Sequence, residues 1–276
     1  MREKSNRILW APALAVGLAL SAAAWGQERK LDCQDRHGRS NDRRVGHCEM
    51  REQTVAAPAG PIAVDGGQNG GLSVKGSDRQ DVLVRARVEA WAETETEARS
   101  VALQIRILTD SGRITPQGPP NSRDRSWSVS FEVLVPRRSD LDLKTVNGGV
   151  SVAETHGNIG FSAVNGGVSL QRIGGRVRGR TVNGGLSIEL DGQRWEGDGL
   201  DARTTNGGVD LSVPEGYSAR LETSTVNGRL RADLPMTVQG EVGKTVSATL
   251  GSGGALLKVG TTNGGVKVRR AGAARI

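Results

Sequence analysis

The most regular feature of the sequence is a short apolar–polar–apolar alternation that follows repeated copies of an Asn-Gly turn. The first regular copy, residues 145–152, reads Thr-Val-Asn-Gly-Gly-Val-Ser-Val. Asn and Gly both accept the left-handed backbone region, so the pair predicts a tight turn. The period-2 alternation after it predicts a short strand with one buried face. The Asn residues of the copies are Asn69, Asn147, Asn165, Asn183, Asn206, Asn227 and Asn263.

The spacing of these copies distinguishes two arrangements. The copies at 147, 165 and 183 are 18 residues apart, and the last step, of 36, predicts two periods with one degenerate copy near Thr245 to Leu250. Antiparallel hairpins would give a meander or barrel, whereas parallel coils would give a solenoid. The solenoid explains more, because identical turns at a constant period would stack and their Asn side chains could form a ladder. We therefore predict an all-β, single-stranded parallel β-solenoid, or β-helix, with coils of about 18 residues.

The alternation also assigns side chains to the interior or the surface. The predicted interior pairs are Val150/Val152, Val168/Leu170, Leu186/Ile188, Val209/Leu211 and Val266/Val268. The serines between them are predicted to form a polar stripe that could serve as a binding face: Ser151, Ser169 and Ser187. A similar row is predicted for the threonines before the turns: Thr145, Thr181, Thr204, Thr225 and Thr261.

Residues 57–144 have the same character with irregularities. Residues 94–97, Thr-Glu-Thr-Glu, resemble a capping box, and apolar residues follow at helical spacing. One short helix from about 95 to 106 is predicted to cover the open end or side of the solenoid. Alternating apolar residues over 127–135 predict a clear strand.

The N-terminus has the features of a signal peptide. A basic start precedes an apolar stretch from Ile8 to Ala24, and small residues up to Gly26 provide a cleavage site. The alternative is an uncleaved membrane anchor. No later stretch approaches the roughly 20 apolar residues of a spanning helix. We expect an exported protein in the periplasm, on the outer cell surface or secreted, without an integral membrane segment after cleavage.

The predicted organisation has four parts. They are a signal peptide at 1–26, a polar extension at 27–56, a β-solenoid domain at 57–270 and a C-terminal tail at 271–276.

Cys33 and Cys48, in the predicted extension, are the two cysteines of the chain. In an exported protein an even number of cysteines usually pairs, so a disulfide is predicted. A zinc site with His37 and His47 is the alternative. It fits poorly, because His47 directly precedes Cys48 and adjacent ligands strain a tetrahedral shell.

Composition narrows the function classes. The 39 glycines argue against a helical bundle, and the 3% of aromatic residues weakens any cleft that relies on ring stacking. The net charge of +7 comes from 37 basic and 30 acidic residues dispersed among one another, so nucleic-acid binding is not expected. A weak attraction to anionic lipid or polysaccharide stays open. The repeats lack a regular Asp, and no calcium stack or other cofactor is expected.

One short segment gathers acids around an aromatic side chain. The insertion at 191–201 carries Trp195 among Asp191, Glu196, Asp198 and Asp201. Paired carboxylates could hydrolyse a glycan, but a solvated loop is the simpler interpretation. His156 stands alone at a turn and is expected to be exposed without a catalytic role.

The copies of Thr-Val-Asn-Gly-Gly-Val-x-Val, with the signal-like start, the Cys-containing lead-in and the helix, resemble the bacterial putative-adhesin family. This is a family of Asn-Gly repeat β-solenoids of unknown function, and the resemblance covers roughly residues 57–270. It implies a cell-envelope location and an adhesive or scaffolding role. The sequence departs from the pattern at 227–229, which read Asn-Gly-Arg, and near residue 245.

We therefore predict a non-catalytic envelope or secreted scaffold that presents a Ser/Thr-rich face to a protein or glycan partner. Two alternatives remain. The first is a glycan-active β-helix enzyme using the 191–201 insertion, and the second is a periplasmic envelope-stress accessory protein that binds a signalling partner.

Overall fold

The computed structural model describes residues 31–33, 44–234, 237–239 and 243–272. The predicted signal peptide at 1–26, His37 and residues 273–276 of the predicted tail lie outside the described residues. Within the described part, the chain forms 21 strands and one helix.

Two stacked sheets contain all of these strands. The N-terminal elements are β1 (Val45–Ala56), β2 (Ile62–Asp65), β3 (Leu72–Ser77), β4 (Asp81–Ala92), α1 (Glu95–Gln104), β5 (Arg106–Asp110), β6 (Arg113–Gln117) and β7 (Ser126–Pro136). The central elements are β8 (Leu141–Asn147), β9 (Val150–Ala153), β10 (His156–Asn165), β11 (Val168–Gln171), β12 (Gly174–Asn183), β13 (Leu186–Glu189), β14 (Gly199–Asn206) and β15 (Val209–Val213). The last elements are β16 (Ala219–Asn227), β17 (Leu230–Ala232), β18 (Thr237–Gln239), β19 (Thr245–Leu250), β20 (Leu256–Asn263) and β21 (Val266–Arg270).

Each coil contributes one strand to each sheet. Sheet A has ten strands in the order β1-β4-β7-β3-β9-β11-β13-β15-β21-β17, and sheet B has eleven in the order β18-β19-β16-β20-β14-β12-β10-β8-β2-β6-β5. In the central coils the chain runs along sheet B, turns at Asn-Gly and continues in sheet A. Neighbouring strands of these coils pair in parallel. The fold is therefore all-β and of the β-solenoid type, and the meander or barrel alternative is wrong.

The interior between the sheets is aliphatic, as the alternation predicts. Each of the ten predicted interior side chains is at most 2% exposed. The partners in the central strands are offset by one repeat, so that Val168 lies opposite Val150 on one side and Leu186 on the other. Similar side chains thus stack in continuous rows through the core.

The coils at the C-terminal end do not follow chain order. The coil of β20 and β21 lies between the coil of β14 and β15 and the coil of β16 and β17. The prediction of a degenerate copy near Thr245 to Leu250 is wrong, because this segment is β19, which pairs antiparallel with β16. The return strand brings the chain back across the stack before the last coil begins.

The N-terminal end repeats this arrangement. The coil of β2 and β3 lies between the later coils formed by β6 with β7 and by β8 with β9. At each end of the stack, the outer coil therefore comes from a more central part of the sequence than the coil that it covers. The coil of β6 and β7 covers that of β2 and β3, and the coil of β16 and β17 covers that of β20 and β21.

The segment predicted as a polar extension contains a strand of sheet A. All twelve residues of β1 pair with β4, so residues 45–56 are part of the sheet. Its polar side chains have partners: Arg51 donates to the carbonyl oxygens of Ala102, at 2.7 Å, and Ile105, where α1 ends. A cation at this position also complements the helix dipole.

The predicted helix is present and slightly shorter than expected. It begins after Thr94, whose side-chain oxygen accepts a hydrogen bond from the Glu97 amide at 3.2 Å. Its buried side chains, Ala98, Val101 and Ala102, face the core, and α1 packs against β4 and β1. The helix therefore covers one side of the solenoid near its N-terminal end.

Candidate binding faces and the edge cleft

The Asn corners form a continuous ladder along one edge of the solenoid. Each side-chain amide donates to the Oδ1 of the Asn in the preceding coil, at distances from 2.7 to 3.0 Å. The order in space is Asn69, Asn147, Asn165, Asn183, Asn206, Asn263 and Asn227. These amides are largely committed to one another, so we assign the ladder a structural role.

The two glycines of each corner have different tasks. A Cβ on Gly166, the first glycine, would lie 1.9 Å from the carbonyl oxygen of Gly148 in the preceding coil. A Cβ on Gly167, the second glycine, would lie 3.5 Å from the carbonyl oxygen of Gly185, an ordinary contact. The first position therefore requires glycine, whereas the second tolerates a side chain. Arg229 occupies the second position in the coil that ends the stack, which accounts for the irregular Asn-Gly-Arg copy.

The predicted surface row of threonines is wrong, because these side chains point inward. Their exposed fractions range from 1 to 6%. Each hydroxyl donates to the carbonyl oxygen of the first corner glycine in the preceding coil, at 2.6 to 2.8 Å. The residues are Thr145, Thr181, Thr204, Thr225 and Thr261. They hold the coils together and are not part of any binding face.

The serine stripe lies on the outer face of sheet A. Ser151, Ser169 and Ser187 are directly opposite one another on neighbouring strands, and each is partly exposed. Ser73 extends the stripe by one strand. In the other direction the same row continues into Asp210 and then into a lysine. The structure thus brings the predicted serines together as a flat, four-strand array of hydroxyl groups.

A cluster of charged side chains surrounds Glu154, at the turn that follows β9. Arg137 and Arg172 donate to the Glu154 carboxylate at 3.0 and 3.2 Å, and the Lys75 ammonium lies 4.0 Å from it. Burial alone would raise the pKa of Glu154, but the bonds from Arg172 and Arg137 and the charge of Lys75 outweigh it and lower the pKa. The cluster fixes a corner whose central residue has a positive φ of 54°.

The edge opposite the Asn ladder contains a cleft of about 530 Å³. Its walls come from the segment after β1, the segment after β7 and the 191–201 insertion. Its floor is formed by glycines of the turns on this edge, Gly157, Gly175 and Gly197. His156 lies in the cleft with its Nε2 3.9 Å from Oε2 of Glu196. The other polar side chains of the lining are Arg138, Ser139 and Asp140. No simple sequence spacing connects these segments, so sequence reasoning missed the cleft.

The acids of the insertion do not converge on one point. Asp198 accepts from Arg176 at 2.8 Å and Asp201 accepts from Arg203 at 2.9 Å, both on the outer face of sheet B. Only Glu196 of the predicted acids lines the cleft.

Trp195 is part of the core and not a platform for a sugar ring. Its side chain is buried, and its Nε1 donates to the Gly175 carbonyl oxygen at 3.0 Å. Tyr217 is also buried, and burial, then the nearby charges of Asp191 and Glu196, raise its pKa.

The predicted disulfide between Cys33 and Cys48 is present, with the two Cα atoms 5.8 Å apart. Sulfurs joined in this way cannot act as thiolate ligands, so the zinc alternative is wrong. No cluster of three or more His, Cys, Asp or Glu side chains suited to a metal ion occurs among the residues that the structure describes. In the same part of the chain, no helix combines the length and the apolar character needed to cross a membrane.

Solved structures match most of this chain at low identity. A putative cell adhesion protein from Clostridium sporogenes is 8% identical, with a TM-score of 0.44 over 80% of this chain and 100% of that one. A putative adhesin from Bacteroides fragilis is 10% identical, with a TM-score of 0.41 over 81% and 97% of the two chains. No curated protein matches significantly. Residues 139–269 match the family model Toastrack DUF4097, and this match confirms the resemblance to the bacterial putative-adhesin family that the repeats indicate.

Proposed function

We propose that the protein is a non-catalytic, adhesin-like scaffold of the cell envelope whose outer face of sheet A binds a protein or glycan partner. One observation carries the proposal: Ser73, Ser151, Ser169 and Ser187 are in register on four adjacent strands. Each hydroxyl can both donate and accept hydrogen bonds. The strands beneath them are held by buried side chains and by the Asn ladder, so the array is rigid. Binding of a partner would therefore cost little conformational entropy in this protein.

The envelope location rests on two features that support export. Disulfides persist in oxidising compartments, and the Cys33–Cys48 bond lies just after the predicted signal peptide. Protease treatment of intact cells, followed by detection of the chain, separates the outer surface from the periplasm. Degradation by the external protease favours an adhesin. Protection, together with capture of a partner from crosslinked cells, favours the periplasmic envelope-stress accessory protein.

The binding face can be tested with a matched pair of serine substitutions. Ser169→Lys places a long cation in the middle of the serine stripe, whereas Ser224→Lys places the same side chain on the outer face of sheet B. We expect only Ser169→Lys to reduce retention of the purified protein on isolated envelope fractions. Equal retention of both variants and the unaltered protein would show that the stripe is not the binding face.

A second candidate function arises from the edge cleft. The cleft places His156 beside Glu196 of the 191–201 insertion, with Asp140 in the same lining. A glycan-active enzyme would use these groups, so cleavage of envelope glycans by the purified protein, lost in His156→Asn and Glu196→Gln, would establish it. Replacement of Asp198 or Asp201 is less informative, because these acids pair with arginines outside the cleft.

A further inference from the structure

The outer face of sheet B has an uneven distribution of paired charges. On β8, Lys144 is bound to Asp142 at 2.8 Å, and on β14, Arg203 is bound to Asp201 at 2.9 Å. Lys258 of β20 is bound to a glutamate of β16 at 3.0 Å. Cations on these strands are therefore neutralised by neighbouring acids.

Strand β12 differs from these neighbours. It presents Arg176, Arg178 and Arg180 at alternate positions, and all three are exposed. Arg176 is bound to Asp198, but Arg178 and Arg180 have no hydrogen-bonding or ion-pair partner within the described part of the chain. Two neighbouring guanidinium groups are thus available to an anionic ligand, and guanidinium recognises carboxylate and phosphate in a bidentate manner.

The strand beside them leaves open space. In register, Gly160 lies next to Arg178 and Ser162 lies next to Arg180. A Cβ on Gly160 would lie 3.6 Å from the carbonyl oxygen of Leu141 and 3.8 Å from Oδ1 of Asp142. Its φ is not in the positive region, so the fold does not require glycine there. The missing side chain makes β10 the floor of a trough between β12 and β8, where the opposite wall consists of Asp142 and Lys144, an acid and a cation bound to each other. Since neighbouring strands are about 4.8 Å apart, the trough is about 10 Å wide.

We propose that this trough, defined by Gly160 and Ser162 as its floor and Arg178 and Arg180 as its wall, binds a single chain of an acidic polysaccharide. The arginines would bind carboxylate or phosphate groups of the glycan, while the floor accommodates the sugar backbone. A narrow trough suits one extended polymer better than a flat lipid surface. This site lies on the sheet opposite the serine stripe and does not depend on that face being functional.

The test compares binding of polygalacturonate, neutral dextran and vesicles of phosphatidylglycerol to the purified full chain at low salt. We expect polygalacturonate to bind, dextran not to bind, and binding to weaken as NaCl screens the charges. The double variant Arg178→Gln/Arg180→Gln should weaken binding about tenfold or more, because it removes two charge-assisted contacts. The control Arg99→Gln/Arg113→Gln removes the same charge from exposed arginines of α1 and β6 and should bind normally.

A second variant separates the trough from net charge. Gly160→Thr keeps every arginine, fits the strand and fills the floor, so it should also weaken polygalacturonate binding. Equal affinity of all variants, or equal losses in the trough and control double variants, would overturn the proposal. Vesicle binding without polygalacturonate binding would overturn it too and would assign the arginines to a membrane surface.

Discussion

The side-chain amide of Asn227 donates to Asn263, which lies 36 positions later in the chain, at 2.8 Å. Asn263 in turn donates to Asn206 at 2.7 Å. The ladder therefore passes through the last coil before it reaches the coil of Asn227. Equivalent corners make this possible, because every coil offers the same donor and acceptor to its neighbours.

The two corner glycines should respond differently to the same substitution. Gly166→Ala places a methyl group against the Gly148 carbonyl oxygen, so it must separate two coils. We expect a loss of about 3 kcal/mol or more in the free energy of unfolding, measured by urea denaturation. Gly167→Ala, one residue away, should cost less than about 1 kcal/mol. Similar losses in the two variants would contradict the close stacking at the first glycine.

Ala163 occupies the position that holds threonine in the neighbouring coils. It lies opposite Thr145 and Thr181, and it has no hydroxyl to donate to the Gly148 carbonyl oxygen. Ala163→Thr should restore this hydrogen bond and increase stability by about 1 kcal/mol, as measured by chemical denaturation. Ala163→Val adds a similar volume without the hydroxyl and is the control. A gain in Ala163→Val that matches the gain in Ala163→Thr would attribute the effect to packing.

Two threonines on β16 should have opposite effects when changed to valine. Among the described residues, the buried Thr223 hydroxyl has no hydrogen-bond partner, whereas the Thr225 hydroxyl donates to the Gly264 carbonyl oxygen at 2.7 Å. Thr223→Val should raise the unfolding free energy by about 1 kcal/mol, since an unpaired buried polar group is removed. Thr225→Val should lower it by about 1 to 2 kcal/mol. Thermal denaturation of both variants checks the prediction, and destabilisation by Thr223→Val would contradict it.

The disulfide should contribute measurably to stability. Cys33 and Cys48 are 15 residues apart, and closing such a loop restricts the unfolded chain by about 3 kcal/mol in the chain-entropy model. The double variant Cys33→Ser/Cys48→Ser should lose this contribution in urea denaturation. Dithiothreitol should lower the stability of the unaltered protein to that of the variant and leave the variant unchanged. A reductant effect on the variant would point to another cause.

The local pattern predicts the corners, the interior rows and the ladder, because each depends on residues close together in the sequence. Stacking order does not follow from it, since the Asn227 amide fits equally well against any other corner Asn. Strand β1 escapes detection because its inward positions include His47, Glu49 and Arg51, which give no apolar alternation. The burial of Thr145 could have been inferred, because it continues the inward phase of Leu141 and Leu143.

The serine stripe follows directly from the repeat, but the two other candidate sites do not. The cleft gathers Pro58, Asp140 and Glu196 from distant parts of the chain. Arg178 lies in register with Asp201, but this carboxylate is bound to Arg203, and Arg178 and Arg180 therefore lack a partner among the residues that the structure describes. Such features arise from tertiary pairing, which a one-dimensional period does not encode.

The interleaved order of the last coils affects how the protein matures. The coil of β16 and β17 is synthesised before its permanent neighbour, the coil of β20 and β21. Until β20 and β21 have been synthesised, β16 and β17 lack the strands with which they pair in parallel in the finished fold. A polypeptide truncated before β20 would therefore expose unpaired strand edges, which quality-control proteases can recognise.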